Sequence, residues 1–157
     1  RTLLSISLAV TYLADLHEFE WVAHLPNGLK KLELLAPLAK SPAFDFVHLA
    51  RSVPQLNTLR LTARVFDMHD ISPREWLKQL PRHLVSLDIQ VVENFVIGND
   101  DYASLPRGLI TLKNAQRTPI VSEDCVEQLP LNLERCTIAG KEPAGWRPSH
   151  RCTASQP

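Results

Sequence analysis

Aliphatic residues recur along this chain in a six-residue phrase. The phrase has aliphatic residues at its first, fourth and sixth positions. The phrase occurs six times, at Leu3-Ile6-Leu8, Leu29-Leu32-Leu34, Leu56-Leu59-Leu61, Leu84-Leu87-Ile89, Leu109-Leu112-Asn114 and Leu133-Cys136-Ile138. Its first positions are separated by 26, 27, 28, 25 and 24 residues. A fixed period in the twenties predicts a solenoid, in which similar units stack and bury a continuous core between them.

Each unit divides into a strand and a helix. Apolar and polar residues alternate within the phrase, which is the period of a strand with one buried face. The segments between phrases carry helical spacing, as in Leu13, Leu16, Phe19 and Val22. A proline follows the last apolar residue of five of these segments, at positions 26, 54, 81, 106 and 130. Proline disfavours helical geometry in the residue before it, so each helix is predicted to end at the same phase of the repeat.

Local signals sharpen the helix starts. Ser72-Pro73-Arg74-Glu75 predicts a reciprocal capping box, in which the Ser72 side chain accepts from the backbone of Glu75 and the Glu75 carboxylate reaches back. Asn99-Asp100-Asp101 predicts another helix start with acidic residues at its positive end. The segment from Gln90 to Asp101 is predicted to be a long loop whose apolar residues either fold under as core or form an exposed interface patch.

The phrases resemble those of leucine-rich repeat proteins of the longer α/β horseshoe type. The form Leu-Pro-x-x-Leu-x-x-Leu-x-Leu, as at residues 80–89, is similar to repeats of eukaryotic intracellular proteins, including F-box-type substrate receptors. Repeats of bacterial effector ubiquitin ligases are a poorer match, because they are shorter and have little helix. The resemblance implies an α/β leucine-rich repeat solenoid of about six repeats, with parallel strands on the concave side and helices on the convex side.

The chain departs from the family at one position. The family places Asn or Cys eight residues after the first Leu, where the side chain satisfies backbone groups of the turn. The corresponding residues here are Thr11, Pro37, Arg64, Val92, Arg117 and Lys141. We therefore expect irregular connections after the strands, with the strand register unchanged.

Length and composition agree with one globular domain. The chain has 157 residues, of which 45% are hydrophobic and 22% charged. The resemblance divides it into a leucine-rich repeat solenoid over residues 1–140 and a C-terminal cap or disordered tail over residues 141–157. The chain starts at Arg1 without an initial Met, which indicates a fragment of something longer.

Charge and residue types exclude several functions. Lys and Arg balance Asp and Glu at 17 each, which gives no electrostatic reason to expect nucleic acid or an anionic membrane. No apolar run approaches the ~20 residues of a membrane span. Glycines are scattered through turns, and neither a phosphate-binding loop nor a nucleophile motif is present. We therefore predict no enzyme, no catalytic residue, no metal, no cofactor and no small-molecule substrate.

Three cysteines indicate the compartment. Cys125, Cys136 and Cys152 are odd in number, and Cys136 occupies an aliphatic position of the repeat, where a thiol acts as a small hydrophobe. No spacing suggests a disulfide framework or zinc. We predict a reducing compartment, the cytoplasm or the nucleus.

The predicted binding site is the concave face, because the polar residues of each phrase point there when the aliphatics point inward. The predicted partner-binding residues are Lys31, Glu33, Thr58, Arg60, Ser86, Asp88, Thr111, Lys113 and Arg135. Four of them alternate in sign on neighbouring strands, at Glu33, Arg60, Asp88 and Lys113. These charges either hold the strand register as exposed ion pairs or form a strip that recognises a partner of mixed charge.

A repeat array without a catalytic constellation favours a protein-protein interaction module that binds a protein partner through its concave face. Two alternatives remain. The chain could be the substrate-recognition fragment of a ubiquitin-ligase adaptor, which would require a helical F-box-like segment upstream. It could also be a structural fragment of a larger repeat protein.

Overall fold

A computed structural model of the protein describes residues 5–9, 20–36, 46–65, 72–93, 96–115 and 124–148. Six strands alternate with short helices along this part of the chain. The strands are β1 (Ser5–Ala9), β2 (Lys31–Ala36), β3 (Thr58–Val65), β4 (Ser86–Glu93), β5 (Thr111–Asn114) and β6 (Arg135–Ile138). The helices are α1 (Glu20–Ala23), α2 (Phe46–Ser52), α3 (Pro73–Lys78), a 3₁₀ helix (Asn99–Ser104) and α4 (Asp124–Gln128).

The six strands form one all-parallel sheet in the order β1-β2-β3-β4-β5-β6. Each strand therefore pairs only with its neighbours in the chain, and the strand order never reverses. The register aligns the same position of every phrase, as in the series Leu32, Leu59, Leu87, Leu112 and Cys136. The coarse prediction of an α/β chain with parallel strands is confirmed.

The core lies on one side of the sheet. Phrase aliphatics such as Leu59 and Leu87 are fully buried, and they share a single cluster with helical residues such as Leu49, Trp76 and Leu77. The helices therefore cover the face onto which the phrase aliphatics point. Two tryptophans belong to this packing, Trp76, which is buried in the core, and Trp146, which is half-buried against it.

The turn before each strand repeats the same hydrogen bond. The amide of the first Leu of the phrase donates to the carbonyl three residues earlier at 2.9–3.1 Å, in all five units where the turn is described. The acceptor is the proline itself, except that Leu56 bonds to Val53, the residue before Pro54. In that unit the first Leu of the phrase follows the residue before the proline by three positions, and in the other units by four. All four α-helices end before the prolines, as predicted.

A second repeated contact joins successive units. The carbonyl of Lys30 accepts from the amides of Asn57 and Thr58, and the carbonyl of Asn57 accepts from Val85 and Ser86. The carbonyls of Val85 and Ile110 do the same for the following units. Backbone amides at the start of each strand thus form hydrogen bonds to a carbonyl of the preceding unit. These hydrogen bonds fix the position of each unit relative to the one before it.

Two local predictions are corrected. The segment from Gln90 to Glu93, predicted as loop, continues β4, and Arg64 and Val92 still lie within strands. Both positions fall where irregular connections are predicted, and the strands extend through them instead. Farther along, Ile97 is buried and Val96 is 56% exposed, so this apolar segment divides between core and surface.

The helix starts also differ in detail. Ser72 caps α3 by accepting from the Glu75 amide at 3.2 Å, as predicted, but the Glu75 carboxylate pairs with Lys78 instead of reaching back. The predicted start at Asn99 is one residue late, because the amide of Gly98 donates to the Asp101 carboxylate at 2.8 Å and Gly98 is the cap. The element that follows is a 3₁₀ helix.

The chain reverses direction directly after β6. Ile138 and Lys141 exchange two backbone hydrogen bonds across Ala139 and Gly140, whose φ angles are 52° and 77°. Positive φ at both central residues gives the mirror-image turn that suits a tight hairpin. The following residues bring the buried Pro143 and the half-buried Trp146 against the end of the sheet.

Candidate functional site: the open face of the sheet

The predicted site residues lie side by side on the face of the sheet opposite the core, which we call the open face. Its first row contains Lys31, Thr58, Ser86, Thr111 and Arg135, and its second row contains Glu33, Arg60, Asp88 and Lys113. The strand register therefore brings all nine together. Their role in binding stays a prediction.

Exposure differs across the open face. Lys31, Lys113 and Arg135 are exposed, and the six other residues are half-buried by their neighbours. All-parallel sheets usually have both faces covered, because crossover helices pack on both sides. Here the described side chains of the open face are exposed or half-buried, and none of the nine is fully buried.

Arg60 is the centre of the open face. Its Nη1 lies 3.1 Å from Oε1 of Glu33, and its Nε lies 3.4 Å from Oδ2 of Asp88. The first contact is a close ion pair, whereas Nε lacks hydrogen-bond geometry toward any acceptor, so the second is a purely electrostatic contact. Arg60 is 39% exposed, and solvent screening therefore limits each pair to about 0–1 kcal/mol.

The row of alternating charges does not form ion pairs along its whole length. No described carboxylate lies within ion-pair distance of Lys113, although its Cα is paired with that of Asp88. Asp88 has other partners, since the Gln90 amide donates to its two oxygens at 3.2 and 3.3 Å. The row of ion pairs therefore comprises Glu33, Arg60 and Asp88 and does not extend to Lys113.

Sequence reasoning missed the part played by Gln90. It lies two residues after Asp88 on the same strand and therefore on the same face. The available signal was the alternation Asp88-Ile89-Gln90, which extends the strand. The loop prediction for residues 90–101 concealed it.

A buried polar cluster lies between the sheet and the 3₁₀ helix. The side-chain amide of Asn114 donates to the hydroxyl of Tyr102 at 3.0 Å, and both residues are buried. The thiols of Cys125 and Cys136 are buried nearby. Burial raises the pKa of Tyr102 to about 12, against a smaller opposing effect of the Asn114 hydrogen bond, and burial raises the pKa of Cys136 to about 12. Both groups are therefore neutral at physiological pH, which suits a structural role.

A cleft of about 750 Å³ adjoins the open face at β6. Arg135 and Thr137 of β6 line it together with Trp146 and Arg147 from the segment after the turn. Glu134 and Glu142 also line this cleft. Arg135 thus belongs to the open face and to the cleft at the same time.

Other candidate chemistry finds little support in the part of the chain that the structure describes. No group of three or more His, Cys, Asp or Glu side chains could hold a metal ion there. Cys152, the third cysteine, lies outside the described residues. Among the described helices, the longest has seven residues, and none could cross a membrane.

The strand order limits where a small ligand could bind. Open α/β sheets bind ligands in the crevice where the strand order reverses. The described sheet contains no such reversal. The accessible polar surface is instead the extended open face.

We compared the chain with protein-family models, with curated proteins and with solved structures, and none of them matched. The geometry of the open face is therefore the basis of the functional proposal.

Proposed function

We propose that the chain is a leucine-rich repeat solenoid of about six units and that its open face is a concave surface that binds a protein partner. The single observation that carries this proposal is the accessible polar face of an all-parallel sheet whose strand order never reverses. The repeated turn hydrogen bond and the sequential register support the solenoid.

The proposal makes the protein a binding module and not an enzyme. Its specificity would come from the two rows of side chains, since their spacing is fixed by strand pairing at about 4.8 Å per strand. A rigid, regularly spaced array loses little conformational entropy on binding, which favours recognition of an extended surface. We further propose that it acts in the cytoplasm or nucleus, as the cysteine usage suggested.

The test reverses the charges of the open face without removing its ion pairs. Lys31→Glu, Lys113→Glu and Arg135→Glu together reverse the three exposed cations of the open face and leave the contacts of Arg60 with Glu33 and Asp88 in place. The matched control, Glu75→Lys with Lys78→Glu, reverses the 2.6 Å ion pair on α3, on the helical side. Circular dichroism and thermal unfolding first verify that all three proteins fold alike.

Each protein then serves as bait in a lysate, and the bound proteins are identified by mass spectrometry. We expect a partner that is captured by the unaltered chain and by the α3 control but lost from the open-face variant. Equal capture by all three baits would contradict the proposal, because binding would then not depend on the open face. Ubiquitin-ligase subunits among the proteins lost would favour the adaptor alternative.

A further inference from the structure

The positive charges at the two ends of the open face are not neutralised. Lys31 on β2, Lys113 on β5 and Arg135 on β6 are all exposed, and none has a described carboxylate within ion-pair distance. The two carboxylates of the face, Glu33 and Asp88, are both engaged by Arg60. Positive charge is thus in excess on a chain whose formal net charge is zero.

The excess has a defined spatial pattern. The nine residues of the open face carry four cations and two carboxylates, a net charge of +2. The Arg60 cluster occupies the middle, so the uncompensated cations flank it on either side. Lys31 is three strands from Lys113 and four from Arg135, or roughly 14 and 19 Å along the sheet.

We propose that the open face binds an extended acidic segment of its protein partner, with two acidic side chains about four to six residues apart. An extended chain advances roughly 3.3 Å per residue, so this spacing matches the distance from Lys31 to Lys113 and Arg135. One acidic side chain would pair with Lys31 and the other with Lys113 or Arg135. This inference rests on the proposed function and specifies the chemistry of the partner.

The cleft at β6 determines which chemical groups could bind at the Arg135 end of the open face. Arg135 and Arg147 both line this cleft, and the half-buried Trp146 contributes an apolar surface to it. Such a cleft suits a carboxylate followed by an apolar side chain. Glu134 and Glu142 on the same walls oppose a dense negative charge, so they favour a single carboxylate.

The middle of the face argues against a nucleic acid. A nucleic acid carries a phosphate at every nucleotide, so it would bring negative charge over Glu33 and Asp88 as it crossed the sheet. An acidic peptide can place neutral residues there. Separated acidic residues therefore fit the face better than a continuous polyanion does.

The test uses fluorescently labelled peptides in a Gly/Ser background. One peptide carries two glutamates about five residues apart, a second carries them side by side, and a third has glutamines in their place. A single-stranded oligouridine serves as the polyanion. Binding to the full chain is measured by fluorescence anisotropy at low and at physiological ionic strength.

We expect the spaced glutamates to bind most tightly, and added salt to weaken this binding. Lys31→Gln, and Lys113→Gln combined with Arg135→Gln, should each weaken it about three- to tenfold, because each change removes one end of the match. Arg82→Gln removes an equally exposed cation in the turn before β4 and should leave the affinity unchanged.

The proposal would be overturned by equal affinity for the spaced and adjacent glutamates, by tighter binding of oligouridine, by an equal loss in Arg82→Gln, or by no peptide binding at all. Its failure is distinguishable from failure of the proposed function. If no acidic peptide binds while the charge-reversed open face still loses a captured partner, the interaction surface stands and only the acidic partner is wrong.

Discussion

At the scale of single residues, Asn114 shows how this chain accommodates a polar group in an aliphatic position. Its neighbours in the register are Ile89 and Ile138, and its own side chain is fully buried. A buried amide without a partner would cost about 1–3 kcal/mol. Tyr102, which comes from the 3₁₀ helix, accepts a hydrogen bond from it and ties that helix to β5. The irregular residue thus fixes one helix against the sheet.

The same cluster predicts sensitivity to alkaline pH. The pKa of Tyr102 is raised from 10.0 to about 12 and that of Cys136 from 9.0 to about 12, because burial disfavours the charged forms. The unfolded chain therefore releases these protons at lower pH than the folded chain. Their stabilising contribution is complete below about pH 9 and is lost as the pH rises toward 12.

We expect the free energy of unfolding, measured by urea denaturation, to fall between about pH 9 and pH 12. Tyr102→Phe combined with Cys136→Ala should lower stability at neutral pH but make this decline shallower. An unchanged slope in the double variant would mean that neither group titrates differently on folding. Gln128→Ala, at an exposed position of α4, serves as the control.

At the scale of elements, proline placement and turn geometry decide where helices and strands meet. In the turns before β2, β4, β5 and β6 the Leu follows the proline by three residues, and before β3 it follows by two. These prolines mark the turns in the sequence. The turn after β6 is different, since Ala139 has a φ of 52°, a conformation that costs a residue with a Cβ roughly 1–2 kcal/mol. Its alanine gives no sequence signal for such a turn.

Substitutions in this turn are predicted either to lower or to raise the stability of the protein, depending on the residue introduced. Gly140→Ala should destabilise the protein by about 1 kcal/mol, because its φ is 77° and the added methyl group meets no compensating contact. Ala139→Asn should stabilise it by about 0.5 kcal/mol, because asparagine tolerates positive φ and Asn-Gly favours this turn.

Thermal and urea unfolding measure both effects. Gly108→Ala is the matched control, since Gly108 lacks a positive φ and its new Cβ would make only an ordinary contact with the Arg82 carbonyl at 3.8 Å. A loss in Gly108→Ala as large as that in Gly140→Ala would show that positive φ is not the cause.

At the scale of the whole molecule, stability depends on contacts between neighbouring units. Every strand pairs only with its sequence neighbours, and the buried aliphatics of all described units belong to one cluster. A charge placed in the middle of that cluster would disrupt contacts on both sides at once.

Leu87 tests this dependence, because it is fully buried in β4 between Leu59 and Leu112. Leu87→Asp should cost more than about 4 kcal/mol and unfold much of the array, since it buries an unpaired charge. Leu131→Asp makes the same chemical change at a leucine that is 89% exposed, and it should alter stability by less than about 0.5 kcal/mol. Circular dichroism with thermal unfolding compares the two, and native stability of Leu87→Asp would contradict the strand register.

The sequence by itself determined where the strands begin, their register and most of the residues that share the open face. The reason is that hydrophobic alternation and proline spacing are local properties that recur from unit to unit. A unit with an ambiguous pattern can therefore be interpreted by alignment with the clearer units. The same regularity predicts that Lys31, Arg60 and Arg135 share one surface, as the strand register shows.

Only the tertiary structure decided which charges pair and which remain available. The carboxylate of Asp88 contacts Arg60 and Gln90 and leaves Lys113 without that partner, a choice that depends on side-chain geometry at separations of a few ångströms. It also decided that β4 continues to Glu93, that Asn114 bonds to Tyr102 and that the chain turns at Ala139. Each of these features depends on the particular surroundings of one residue or segment, which no repeated pattern encodes.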